Sequence, residues 1–274
     1  MIDVQGLTKL YDAFLAVEDL SFTLGDGQIC GMIGPNGAGK TTTMRCLAGL
    51  IPATAGSLSV ADCDLSGTAR QRNLLPLKQR LAYVPDDPPL FDDLSVGQHL
   101  DLIGRLYRVP DHADKAVQLL EYFQLIDKFD ACATTLSRGM RQKLAICCAY
   151  LYDPVVLLLD EPLTGLDPPG IRRLLASIVQ RAASGATVII SSHLLAMIQD
   201  VCTHLLVIQH GRKQYFGASG DLRQQFPQAN SLEAAYFATT QGGSDKRESH
   251  ATVTSDGAAV ISYPISAFRG EAIS

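Results

Sequence analysis

The 274-residue sequence lacks any apolar run long enough to span a membrane. Its longest apolar stretches, 155–159 and 188–195, have polar breaks or end early, far short of the roughly 18 residues required. It also lacks a surplus of positive charge: 23 Lys and Arg stand against 28 Asp and Glu, for a net charge of −5 and a pI near 5.6. No basic face is expected that would neutralise many phosphates of a polynucleotide, and no nucleic-acid partner is expected. The seven cysteines are odd in number and show no C-x-x-C spacing. Sitting mostly in apolar stretches, they read as reduced core residues of a cytoplasmic protein. The opening MIDVQGLTKL carries an acid at Asp3 and no apolar h-region, so no secretory signal is expected there.

What is present is an apolar content of 47%, enough for one large domain with an inserted subdomain. Residues 29–47, ICGMIGPNGAGKTTTMRCL, pass from an apolar strand through a glycine-rich turn into a helix. The turn Gly34-Pro35-Asn36-Gly37-Ala38-Gly39-Lys40-Thr41 matches the phosphate-binding loop pattern. Glycines there let the backbone curl so that successive N–H groups converge on an anion, which a Cβ would obstruct. Lys40 would reach the outer phosphates, the Thr41 hydroxyl would ligate Mg²⁺, and the following helix, from Thr41 to about Ala48, would aim its positive end at the site. Gly49 is placed to close that helix.

Alternation over residues 2–24 predicts two or three antiparallel strands, with Tyr11 in a loop between them. Short strands are expected at 57–60 and 81–84, the latter running into Pro85-Asp86-Asp87-Pro88-Pro89. A helical region follows. Ser95 and Gln98 form a candidate capping box for a helix reaching about Arg108, and Asp111 with Asp114 start another that shows Val117, Leu120 and Phe123 on one face. Ser137 caps a third, from Arg138 to Leu151. The run 155–159 reads as a strand buried on both faces, delivering Asp160 and Glu161 to its C-terminal end. In an open α/β sheet that edge binds ligands, and the phosphate loop shares it. Asp160 suits Mg²⁺ through a water ligand and Glu161 suits a general base. A helix from Asp167-Pro168 to Ala183, a strand at 187–191 ending near His193, and a hairpin around His210-Gly211 complete the pattern. Residues 239–274 turn to Gly, Ser, Thr and Asp and read as a flexible tail, with a short strand at 259–263.

The ordered motifs GPNGAGKTT, LSRGMRQ, VVLLLDEP, TGLD and SSH resemble the ATP-binding cassette (ABC) ATPases, the nucleotide-binding subunits of ABC transporters, over residues 1–238. The resemblance implies an α/β fold: a RecA-like P-loop NTPase core (about 1–87 and 154–217) with an N-terminal antiparallel β-subdomain, an inserted α-helical subdomain (about 88–153) and a C-terminal helix (about 218–238). It implies ATP and Mg²⁺ as cofactors. Residue by residue, Gly34, Pro35, Asn36, Gly37, Ala38, Gly39, Lys40, Thr41 and Thr42 would hold the phosphates and Tyr11 would stack on adenine. Glu161 would be the base and His193 would orient the attacking water. Ser137 and Gly139 would bind the nucleotide of a second copy or a paralogous cassette in a head-to-tail dimer, with Asp167 in the loop crossing between subunits. Asp86 stands where the family usually has Gln, or Asp87 if the alignment slips by one, and would join Thr41 and Asp160 as a metal ligand. LSRGM departs from the common LSGGQ at Arg138 and Met140. Residues 231–237 resemble cassettes of the multidrug and antibiotic exporter-like branch. The expected role is to power a separate transmembrane permease, peripherally on the cytoplasmic face of the membrane. A soluble ABC ATPase acting on ribosomes or DNA, or a nucleotide-gated regulatory module, are the alternatives.

Overall fold

Alternating apolar residues over the first 24 positions form two long strands rather than three, because a tight turn at Asp12, with φ of 50°, folds one ribbon on itself. These are β1 (Ile2–Tyr11) and β2 (Phe14–Leu24), and Tyr11 is the last residue of β1, paired with Phe14, rather than a loop residue. With β4 (Ala55–Val60) and β5 (Cys63–Asp64) they make a four-stranded antiparallel sheet ordered β2-β1-β4-β5. The computed structural model describes residues 1–66, 73–193 and 195–221. The expected C-terminal helix beyond residue 221, the segment 231–237 and the tail with its strand at 259–263 lie outside them.

A second sheet carries the rest of the strands in the order β10-β9-β3-β8-β7-β6. Its members are β3 (Ile29–Ile33), β6 (Leu81–Val84), β7 (Val156–Leu159), β8 (Thr187–Ser192), β9 (His204–Gln209) and β10 (Arg212–Ala218). β3, β6, β7, β8 and β9 run parallel, and β10 folds back antiparallel through His210-Gly211, both at positive φ. Because side chains alternate along a strand, the two faces feed different cores. Ile29, Ile33, Leu157, Leu159, Val188 and Ile190 pack under helices α3 (Val96–Leu106), α4 (His112–Tyr122), α5 (Arg138–Tyr150) and α6 (Pro168–Ala183). Cys30, Met32, Val156, Leu158 and Ile189 pack with α1 (Lys40–Leu47) and the antiparallel sheet, through Met44, Leu47, Val4, Leu20 and Phe22. Continuous apolar runs are therefore required in these strands.

Two short helices, α2 (Leu75–Arg80) and α7 (Leu195–Ile198), and two 3-10 turns, Ile126–Lys128 and Ala133–Thr135, complete the elements of the described residues. Of the face expected for α4, Leu120 and Phe123 are buried, while Val117 is exposed and Ala116 takes its place in the core. Cys132 is exposed, whereas Cys30, Cys46, Cys147 and Cys202 are buried, and no two of the seven cysteines form a disulfide. Among the described residues no helix is long and apolar enough to cross a membrane.

Candidate functional site

Four neighbouring strands of the parallel sheet, β3, β8, β7 and β6, end side by side, and each ending delivers chemistry. β3 runs into the glycine loop, β8 reaches His193, β7 reaches Asp160-Glu161, and β6 reaches Pro85-Asp86. The loop closes tightly. A Cβ on Gly34 would collide with the Ile208 carbonyl oxygen, and Gly39, the N-cap of α1 at φ 105°, comes within 2.7 Å of the Ala16 carbonyl at its Cβ position. Gly37, at φ 79°, has open space on its Cβ side. An open cleft of about 300 Å³ follows the loop, lined by Asn36, Gly37, Ala38, Gly39, Lys40, Thr41 and Thr42 together with Asp86, Glu161, Phe14 and Ala16.

Lys40 is buried (7% side-chain exposure) and folds onto its own loop, donating to the Gly34 carbonyl at 2.7 Å and the Pro35 carbonyl at 3.2 Å. Its Nζ lies 3.6 Å from Glu161 Oε1, a buried oxygen with no hydrogen-bond partner. The other Glu161 oxygen accepts from His193 Nδ1 at 2.8 Å. One carboxylate thus stands between a buried ammonium and an imidazole. Glu161 is held there in the left-handed region, at φ 47°, by its N–H donating to Ser191 Oγ at 2.8 Å. Such a conformation is strained in a non-glycine residue and persists only where its surroundings fix it. Ser191 in turn donates to Asp160 Oδ1 at 2.6 Å, and the Tyr83 hydroxyl donates to Asp160 Oδ2 at 3.4 Å. Burial, and then the Asp160 charge, pushes the Tyr83 phenol up to about 12.

The order of these motifs and the fold have close counterparts. Residues 17–164 match the ABC transporter family. The ABC-type transporter ATP-binding protein EcsA of Bacillus subtilis is 31% identical over 244 residues, spanning 88% of this chain and 97% of that protein. The Nod factor export ATP-binding protein I of Burkholderia pseudomallei is 37% identical over 219 residues, 79% of this chain and 70% of that one. The solved ATP-binding subunit of an ABC transporter superposes with a TM-score of 0.78 at 30% identity, covering 88% and 99% of the two chains. The chain belongs to the ABC transporter family. It is an ATP-binding subunit that hydrolyses ATP, built on the α/β P-loop NTPase fold. A dimeric ATP-binding cassette solved with ADP and Pi shares that fold at 18% identity and a TM-score of 0.71, covering 80% of this chain and 99% of that one.

Within this ABC subunit the remaining predicted residues fall into two groups. Ser137 caps α5, accepting from the Met140 N–H at 3.3 Å, and neither it nor Gly139 lines the cleft. Gly139 instead packs on the Gly165 carbonyl, where a Cβ would collide, and Lys143 pairs with Asp167 at 3.3 Å. That Lys143 hydrogen bond holds the Asp167 carboxyl below the usual carboxylate range. The start of α5 and the loop 164–167 are therefore clasped together. Tyr11 does not line the cleft; its ring lies under the Lys9 ammonium at 4.9 Å, and Phe14, three residues on, faces the phosphate loop. Sequence reasoning gives Phe14 no role, and Ser191 enters it only as part of the SSH motif, without a role of its own. An exposed aromatic beside a tight turn and a polar residue ending the run TVIIS are the signals that mark them.

Proposed function

We propose that this subunit powers export through a head-to-tail dimer docked on separate membrane-spanning subunits at the cytoplasmic face of a membrane. The observation that carries the reading is the placement of Glu161 between Lys40 and His193 at the mouth of the phosphate loop. A carboxylate with one oxygen bound to an imidazole and the other free of hydrogen bonds is equipped to take a proton from water. In this reading Glu161 is the general base and His193 orients it and the water. Lys40 leaves the Gly34 and Pro35 carbonyls for the more highly charged outer phosphates, and the N–H groups of the loop and of Thr41 and Thr42 cradle them. Phe14, which lines the cleft where Tyr11 does not, is the aromatic available to adenine. Ser137, Gly139 and Asp167 serve the site of the second copy.

Among the described residues no three His, Cys, Asp or Glu side chains form a metal cage. The local donors are hard oxygens, from Thr41 and Asp86 on the cleft and, through a water ligand, from Asp160, which would suit Mg²⁺, a cation that neutralises phosphates. The export direction draws support from the relatives named for Nod factor export, and the dimer from the solved ADP- and Pi-bound cassette.

Steady-state ATP hydrolysis tests the assignment. General-base catalysis contributes about 10²–10⁴-fold, so Glu161→Gln is expected to lose that much turnover while still binding ATP. Turnover at the wild-type rate would remove Glu161 from the role, and binding without any wild-type turnover would favour a regulatory module.

A further inference from the structure

The resting partner of Arg138 is not accounted for by the roles above. Arg138 is the first residue of α5, where the helix dipole already makes a positive end and no acid occupies the first turn. Its stem packs across Gly165, and its Nη2 donates to Asp86 Oδ1 at 2.8 Å. Asp86 also lines the cleft with Lys40, Thr41 and Glu161. One carboxylate thus has two uses: it can balance the cation at the start of α5 or face a cation brought with nucleotide. It cannot serve both fully, because a guanidinium at hydrogen-bond distance engages Oδ1 and offsets the charge of the whole carboxylate.

We propose that Arg138 is a positioning residue that holds Asp86 out of the metal set until nucleotide arrives. The inference rests on the reading of Asp86 as a cation ligand. Both side chains are about half exposed, 55% for Arg138 and 48% for Asp86. Exposed pairs contribute little, so the pair biases the equilibrium by about two- to five-fold and does not lock it. A phosphate approaching the start of α5 offers the guanidinium an anion of higher charge and matching fork geometry. Release of Asp86 and capture of that phosphate then form one exchange. The two departures from the common family pattern, at positions 86 and 138, are on this account one device.

The test is the affinity of the full chain for a fluorescent, non-hydrolysed ATP analogue, at concentrations where the protein is monomeric, with Mg²⁺ and with a chelator. Wild type, Arg138→Gln, Asp86→Asn and the double variant form a cycle. Arg138→Gln is expected to tighten binding about two- to five-fold with Mg²⁺ and not with chelator. That gain should vanish in the Asp86→Asn background, and Arg138→Lys should stay near wild type. No gain, a gain indifferent to Mg²⁺, or a gain that survives Asp86→Asn would overturn the proposal. The two levels separate cleanly. If Asp86→Asn alone leaves Mg²⁺-dependent affinity unchanged, Asp86 is no ligand and the underlying reading fails; if it lowers that affinity but the cycle is additive, only the positioning role fails.

Discussion

Ser191 shows how much of the site depends on a residue with no chemistry of its own. Its hydroxyl accepts from the Glu161 N–H and donates to Asp160, so one side chain fixes both acids at the end of β7. Asp160 is 2% exposed, and removing a partner from a buried charged group costs about 1–3 kcal/mol. Ser191→Ala is therefore expected to lower stability by about that amount in chemical denaturation, and to cut turnover by releasing Glu161 from its strained backbone position. A loss below about 0.5 kcal/mol would mean that Asp160 finds a replacement donor. At this scale the sequence is uneven. The glycines, Lys40 and the acid pair are legible because each has a fixed spacing and a chemical reason for it. Ser191, Phe14 and the Asp86–Arg138 pair are not, because they depend on contacts 30, 22 or more residues apart that only the sheet order creates.

Local rules carry further at the scale of elements. The Ser95 capping box forms as its spacing predicts: Ser95 Oγ accepts from the Gln98 N–H at 3.2 Å and the Gln98 side chain accepts from the Ser95 N–H at 2.8 Å. This fixes the start of α3, from which Val96 and Leu100 enter the core. An N-cap serine is worth about 1 kcal/mol, so Ser95→Ala should lower the unfolding free energy by that much, and Ser95→Asp should recover most of it. Equal stability of all three would place the entry to α3 under tertiary control alone. Among the elements that the sequence pattern does not show, α2 and α7 span 6 and 4 residues. Helices so short have too few turns to show a period, and packing rather than propensity holds them. α4 starts where its acids place it, with Asp111 as N-cap and Asp114 in the first turn, and of its expected face only Val117 turns outward, its place taken by Ala116.

For the whole molecule, the arrangement raises a question of completeness. The cleft gathers the ends of four strands, yet Ser137 and Gly139, at the positive start of α5, do not face it. Their own contacts run to the Met140 N–H and to Gly165, and Lys143 with Asp167 ties the same corner down. A rigid corner bearing a hydroxyl and helix N–H groups, set apart from the phosphate loop of its own chain, makes sense if the nucleotide it binds lies on another copy. Glu161→Gln protein should then have a light-scattering mass near 29.5 kDa without nucleotide and twice that with ATP and Mg²⁺. The same shift should be absent when Lys40→Ala removes phosphate binding. A chain that binds ATP and stays at the single-chain mass in the presence of its membrane-spanning partner would overturn the composite site, because the α5 corner would then have no nucleotide to meet.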